Sequence, residues 1–396
     1  MQAQSTAGDA LFELSLYWFV AQETDTVVLV GLIPATSALS ALITGVLGGA
    51  MLDRVDPLKL LVRLDIGRAL LIALLAVGLG VSLPVWIIYP IVGLVSSLTV
   101  LYMPTVRMLI ARIESESTLP IANSNLQMLL GVAGLVGFGL AGPAYAAAGL
   151  LLTLLADAIT FVVAATFIMR SRTAFTETSL PVQTEPRPSR YLSDVMEGIR
   201  ETWIHPLSRY LVLVSLGATL LLAPVDILSP ALVRDVLRGP IIFLSLIEIC
   251  VAGGRIIGSF ASRRLQPSIP FKWLSLILGV MAIASLIVAG APTLSTVMIA
   301  YLFLGGGAGA SAVIVVTALQ LGVESHLHGR IFSLLQASME ALPPISLLAV
   351  SVLADARGPI AAFVSIAIGL GLLAVGSAYL HQSKLRNAFE AKGGSA

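Results

Sequence analysis

The chain has 396 residues, 57% hydrophobic and 11% charged, and its mean hydropathy is +0.96. A soluble chain is about 45–50% apolar and about 25% charged, so this composition excludes a soluble globular protein, a disordered one and most nucleic-acid binders. A net charge of +1 gives no field to recruit acidic partners, and the single cysteine, Cys250, excludes a disulfide framework and a thiolate metal cluster.

A membrane-spanning helix needs about 20 mainly apolar residues. The predicted spans are 3–22, 27–51, 65–82, 86–109, 123–144, 150–169, 209–232, 241–261, 272–290, 295–319, 331–353 and 359–380. Three long uncharged runs divide into two spans each, at Ser82-Leu83-Pro84, near Gly142-Pro143 and at Gly290-Ala291-Pro292. The runs are continuous rather than alternating, which excludes a β-barrel. The N-terminal stretch has no basic region ahead of it and does not read as a secretory signal. The expected fold is an all-α membrane protein with twelve transmembrane helices in two six-helix bundles, 1–169 and 209–380. A linker, 170–208, joins them, and a tail, 381–396, follows.

Lys and Arg set the orientation. With the N-terminus inside, 18 of the 23 basic residues fall in cytoplasmic segments and three (Arg234, Arg238, Arg357) in outer loops. Both termini are therefore expected in the cytoplasm, and the protein in the inner (cytoplasmic) membrane. The linker holds Pro181, Pro186 and Pro188, with a short surface helix expected at 193–202.

The halves share an internal repeat. Gly49-x-x-x-Asp53-Arg54 recurs as Gly258-x-x-x-Ser262-Arg263, Glu116-Ser117-x-Leu119 as Glu324-Ser325-x-Leu327, and Gln127 as Gln336, at offsets of 208 or 209. Such duplication is the parallel-repeat plan of transporters with a site at the repeat interface.

The loop after the second span reads Gly48-Gly49-Ala50-Met51-Leu52-Asp53-Arg54-Val55-Asp56-Pro57-Leu58-Lys59. It resembles the signature loop of the major facilitator superfamily, with Pro57 where that signature carries a base. Gly8-Asp9, Pro104-Thr105-Val106-Arg107, Ala122-Asn123-Ser124, Gly142-Pro143, Asp157-Ala158-Ile159-Thr160-Phe161, His205-Pro206-Leu207, the glycine spacing from Gly253 to Gly258, and Gly329-Arg330-Ile331-Phe332-Ser333 are similar to the branch of macrolide, multidrug and siderophore exporters that includes the enterobactin exporter. Two departures are a start almost inside the first span and Ala146-Ala147 where the exporter signature places a glycine pair. The resemblance implies that the first, fourth, seventh and tenth spans line a central cavity.

Charges inside a bilayer are costly and usually face a cavity. The expected substrate and proton-coupling residues are Glu13, Asp226, Glu340, Asp9, Glu248 and Arg255. Glu13, mid-span, reads either as a buried proton-exchanging carboxyl or as a helix-packing acid. Asp226 lies between Pro224 and Pro230, where a kinked helix opens toward a cavity, or else at the outer rim. Glu340 precedes Pro343-Pro344 and reads as a cavity acid or half of a buried pair. Glu248 and Arg255 are seven apart, share a face and each need a partner elsewhere. Asp157 is a further intramembrane acid without an assigned role.

The gating set is Gly49, Asp53, Arg54, Asp65, Arg68, Arg107 and Arg330. Asp53 reads as an anion for the helix start near 330–333, and Asp65 with Arg68 as an i, i+3 pair at the cytoplasmic mouth. The glycines at 131, 134, 137, 139 and 142 read as a sliding or a static interface. The run Gly305-Gly306-Gly307 with Gly309 reads as flexible helix, and the tryptophans, Tyr89 and Tyr102 mostly as interface anchors; Tyr102 and Met103, next to Pro104, read either as packing or as bordering the cavity.

These readings give a secondary transporter exporting small amphipathic molecules, drug-like or siderophore-like, by alternating access and proton antiport. Its partners are then a small-molecule substrate, the proton and the bilayer, with no nucleic acid, no cofactor and no metal, and it is expected to be a monomer. Uptake by symport and lipid transport share the fold. A membrane enzyme would need a nucleophile–base or metal constellation, and a non-transporting scaffold a larger soluble module than 170–208.

Overall fold

The computed structural model describes residues 2–52, 55–113, 118–175, 200, 202–262, 264–265, 270–322, 331, 335, 339 and 341–382. Among the described residues there is no strand. The helices are α1 (Gln2–Thr24), α2 (Val27–Leu52), α3 (Pro57–Gly80), α4 (Ile88–Ile113), α5 (Leu119–Phe175), α6 (Pro206–Ala231), α7 (Ile241–Ser262), α8 (Pro270–Gly290), α9 (Leu294–Gly322), α10 (Pro343–Arg357) and α11 (Pro359–Gln382).

The helices are built for lipid. On α3, Leu70, Leu74 and Val77 are exposed along one stripe, while Asp65, Arg68, Ile72, Leu75 and Ala76 are buried on the other side. Charge faces inward and hydrocarbon outward, the reverse of a helix in water. Eight helices among the described residues (α2, α4 to α9 and α11) are long and apolar enough to cross a membrane. The protein is an integral, multi-pass membrane protein. α1 and α3 fall outside that group of eight because they carry Asp9, Glu13, Lys59, Arg63, Asp65 and Arg68.

α5 runs for 57 residues, which would be about 85 Å if straight and nearly three bilayer cores. It is two helical arms joined at Gly149, whose φ of 71° lies in the region that glycine tolerates. The break expected near Gly142-Pro143 is therefore at Gly149, and Pro143 sits inside the first arm. A membrane helix absorbs one missing N–H without breaking, whereas the reversal needs a positive φ. Asp56 caps α3, accepting from Leu58 N–H at 3.0 Å, and Pro57 occupies the first turn. The proline that departs from the signature loop thus starts a helix.

The chain divides into two units. The first holds Met1–Asp25, Leu32–Ser189 and Pro240–Ser245. In it α1 and α3 pack on α5, and α3 packs on α4. The second holds Thr26–Gly31, Arg190–Gly239 and Leu246–Ala396. There α11 packs on α6, α8 and α10, α9 packs on α6 and α8, and α10 packs on α6. In the second unit Asp355 also caps the start of α2, accepting from Val27 N–H at 2.5 Å and Val28 N–H at 3.2 Å. The glycine run in α9 forms unbroken helix and serves a close crossing. A Cβ on Gly258 of α7 would overlap Gly306 O of α9, and one on Gly309 would overlap Arg255 O. Small residues let the two backbones meet there.

Candidate functional site

In the first unit the site begins with Gly8. A Cβ at this position would overlap Asp157 Oδ1 and Thr160 Oγ1, so glycine lets α1 lie against the second arm of α5. The next residue, Asp9, comes within electrostatic reach of Asp157, Asp65 and Arg68. Asp65 and Arg68 share a face of α3, as i, i+3 residues do, and are fully buried. Arg68 Nη2 donates to Asp65 Oδ1 in a tight ion pair. Tyr102 of α4 donates its hydroxyl to Asp65 Oδ2 at 3.4 Å. The Arg68 guanidinium lies between two rings, 4.4 Å from the centroid of Tyr102 and 4.2 Å from that of Phe161. Such stacking contributes about 2 kcal/mol per ring when desolvated. Asp157 and Phe161, four apart, stand on one face of the second arm of α5. Asp157 is fully buried, and its Oδ1 accepts from Thr160 Oγ1 at 3.3 Å.

The second unit holds a second charged group. Asp226 on α6 and Arg255 on α7 are both exposed and within electrostatic reach of each other. Glu248, two turns before Arg255, is buried and close enough to Tyr301 of α9 for its charge to be felt there. Tyr301 is fully buried, and its hydroxyl pairs with Ser229 Oγ at 2.9 Å. Pro224 and Pro230 lie inside unbroken α6, and the turn after it, Leu232–Val236, widens to π geometry. Wider turns at proline sites free backbone groups toward neighbours.

The structure thus gathers Asp9, Asp65 and Arg68 in one cluster and Asp226, Arg255 and Glu248 in another. Glu13 stands apart. It was expected to be buried, but it is exposed, and its Oε1 accepts from Tyr17 OH at 2.8 Å one turn on. Arg107 is exposed on α4. Gly49 lies in the last turn of α2. Asp53, Arg54, Arg330 and Glu340 lie outside the described residues, as does most of 193–202. Trp18 is buried rather than an interface anchor, whereas Trp86 is exposed and packs on Tyr89 with ring centroids 5.8 Å apart. Phe161 and Tyr301 by themselves carry no signal of a site in the sequence, Asp157 stands there without a role, and Tyr102, read as an anchor or a cavity-bordering residue, bonds Asp65 instead. The spacing of Asp157 and Phe161 was the available signal.

A family model of the Major Facilitator Superfamily matches residues 2–345. The chain belongs to this superfamily. It is therefore a transport protein and not an enzyme. The multidrug efflux pump Tap of Mycolicibacterium fortuitum is 24% identical over 387 residues, covering 94% of this chain and 92% of that pump. The Tap pumps of Mycobacterium tuberculosis and Mycobacterium bovis are 27% identical over 194 residues. That match covers 48% of this chain, and the chain spans about half the length of those relatives, 46%. Among solved structures, a bacterial homologue of the human lysosomal transporter Spinster, inward-facing and unoccupied, superposes with a TM-score of 0.73 at 13% identity, over 98% of this chain and 95% of that one. A peptide transporter gives a TM-score of 0.71 at 13% identity, over 96% of this chain and 92% of that one. At these identities the solved structures share the superfamily fold with this chain.

Proposed function

We propose that this superfamily member exports small amphipathic molecules, drug-like or siderophore-like, from the cytoplasm by alternating access in exchange for protons. The observation that carries the reading is the Asp226–Arg255 pair. Two opposite charges stand inside apolar helices, both exposed, and charges so placed almost always face a water-filled path. An acid there takes a proton from outside and gives it up inside, while a substrate competes for the same space. Asp226 is the first choice for that acid and Glu13 on α1 the second. The likeness to Tap over 94% of the chain supports efflux of drug-like molecules.

The accompanying architecture is twelve spans in bundles 1–169 and 209–380, with α1, α3 and α10 spanning as well as the eight most apolar helices. The linker 170–208, the tail 381–396 and both termini face the cytoplasm of a monomer in the inner membrane. The charge bias of 18 basic residues against three supports this orientation.

The test is drug accumulation in cells expressing the protein, with and without a protonophore. The protein lowers accumulation, and both the protonophore and Asp226→Asn restore it. Accumulation lowered equally with the protonophore present overturns antiport. Accumulation raised by the protein would make it an importer.

A further inference from the structure

Three carboxyls in the first unit converge on one guanidinium. Asp9 comes from α1, Asp65 from α3 and Asp157 from α5, and Arg68 is the cation whose charge all three feel. Fully ionised, the group would carry a net charge of −2 inside the bilayer. Arg68 is ion-paired to Asp65 through Nη2 and lies over the rings of Tyr102 and Phe161, while its buried Nε, like Asp157 Oδ2, has no hydrogen-bond partner among the described residues. Asp9 and Asp157 are then left facing each other as like charges, and a low-dielectric site disfavours ionising both.

Asp157 carries the sharper signature. Its Oδ2 is buried and has no hydrogen-bond partner among the described residues. Oδ1 has Thr160 Oγ1 as its donor. A carboxylate oxygen left without a donor in a dry site is costly, whereas a protonated carboxyl turns that oxygen into a donor. The charged and polar groups that act on it are Asp9 on α1, Arg68 on α3 and Thr160 on its own arm; Asp65 and Tyr102 reach it only through Arg68 and Asp9, and Gln4 of α1 donates to the Thr160 carbonyl. Among the described residues no three side chains close on a common metal position, so a proton rather than a metal ion fits. Asp9 is half-buried and is the more exposed member of the pair.

We propose that Asp157 is a proton-binding carboxyl of the transporter, exchanging its proton with water through Asp9 when α1 moves off the second arm of α5. Gly8 makes that contact possible, since α1 closes directly over Asp157 there. One proton passes from water to the Asp157 carboxylate and back, and Arg68 stays charged throughout. The proton site stands on the cluster itself; only its part in driving export rests on the antiport reading.

Infrared spectroscopy of the full chain in liposomes, titrated with base, tests it directly. The wild type shows the carbonyl-stretch band of a protonated carboxylic acid at neutral pH, and Asp157→Asn loses it. In Asp9→Asn, which removes the neighbouring like charge, the band persists but disappears at a pH lower by about one unit or more. A band unchanged in Asp157→Asn overturns the proposal. Should Asp157→Asn fail to fold, Asp9→Asn decides, and a midpoint that does not move overturns it equally. Proton binding as described, in a protein whose efflux ignores a pH gradient, keeps Asp157 and removes antiport. Gradient-driven efflux with an unaltered band in Asp157→Asn keeps antiport and removes Asp157.

Discussion

The Arg68 guanidinium lies on the face of Phe161, 4.2 Å from the ring centroid. A planar cation can stack on a second ring, here Tyr102, and still reach Asp65 with one nitrogen. Arg68→Ala leaves buried carboxyls without their cation, a loss of about 3–5 kcal/mol. Arg68→Lys keeps the charge but loses the stacking, and falls between. Melting of the detergent-solubilised protein orders the three as wild type, Lys, Ala; an alanine variant that melts with the wild type refutes the cluster.

Glycines that look alike in sequence differ in what surrounds them. A Cβ on Gly8 strikes Asp157 and Thr160, and one on Gly137 strikes Ala7 and Ala10 of α1. One on Gly131 or Gly134 meets nothing within 4 Å. Gly8→Ala and Gly137→Ala therefore lower transport and melting temperature, whereas Gly131→Ala leaves transport unchanged and holds or slightly raises the melting temperature. Equal effects at all three positions would show that helix propensity, not packing, is being measured.

The same contrast applies to the second unit. Gly258→Leu forces α7 away from Gly306 of α9, and such overpacking costs about 1–3 kcal/mol or more. Gly279 of α8 has open space around it, and Gly279→Leu is the matched control. Thermal melting separates the two, and a leucine at 258 that leaves the midpoint unmoved argues against the crossing.

Asp226 and Arg255 are tested as a pair. Each neutralisation, Asp226→Asn or Arg255→Gln, reduces efflux. The exchange Asp226→Arg with Arg255→Asp recovers part of the loss left by either single reversal, because the charges sit within each other's reach. Strictly additive losses would mean that the two act independently.

Much of the fold is legible because its signal is composition. Uncharged runs longer than 20 residues mark spans directly, and the turns at Ser82 and at Gly290-Ala291-Pro292 stand where expected. In α5 proline is the louder signal in sequence, but Pro143 stays helical and Gly149, at the edge of the gap between the predicted spans 123–144 and 150–169, makes the turn. The site is less legible. Asp65 and Arg68 are read from their spacing alone, but Asp157 joins them from 89 residues away, through helix packing that no local pattern encodes. Glu13 shows the converse: a mid-span acid suggests burial, yet it is exposed, with the Tyr17 hydroxyl donating to it one turn on.

In the proposed cycle a proton gradient drives export. Everted membrane vesicles, with a fluorescent amphipathic drug in the medium, an imposed pH gradient and no other energy source, measure it as drug uptake into the lumen. Drug moves against its gradient only when protons run the opposite way, and the movement is lost when the gradient is collapsed and reduced in Asp226→Asn. Movement of equal rate without a pH gradient, or in the same direction as the protons, would contradict it.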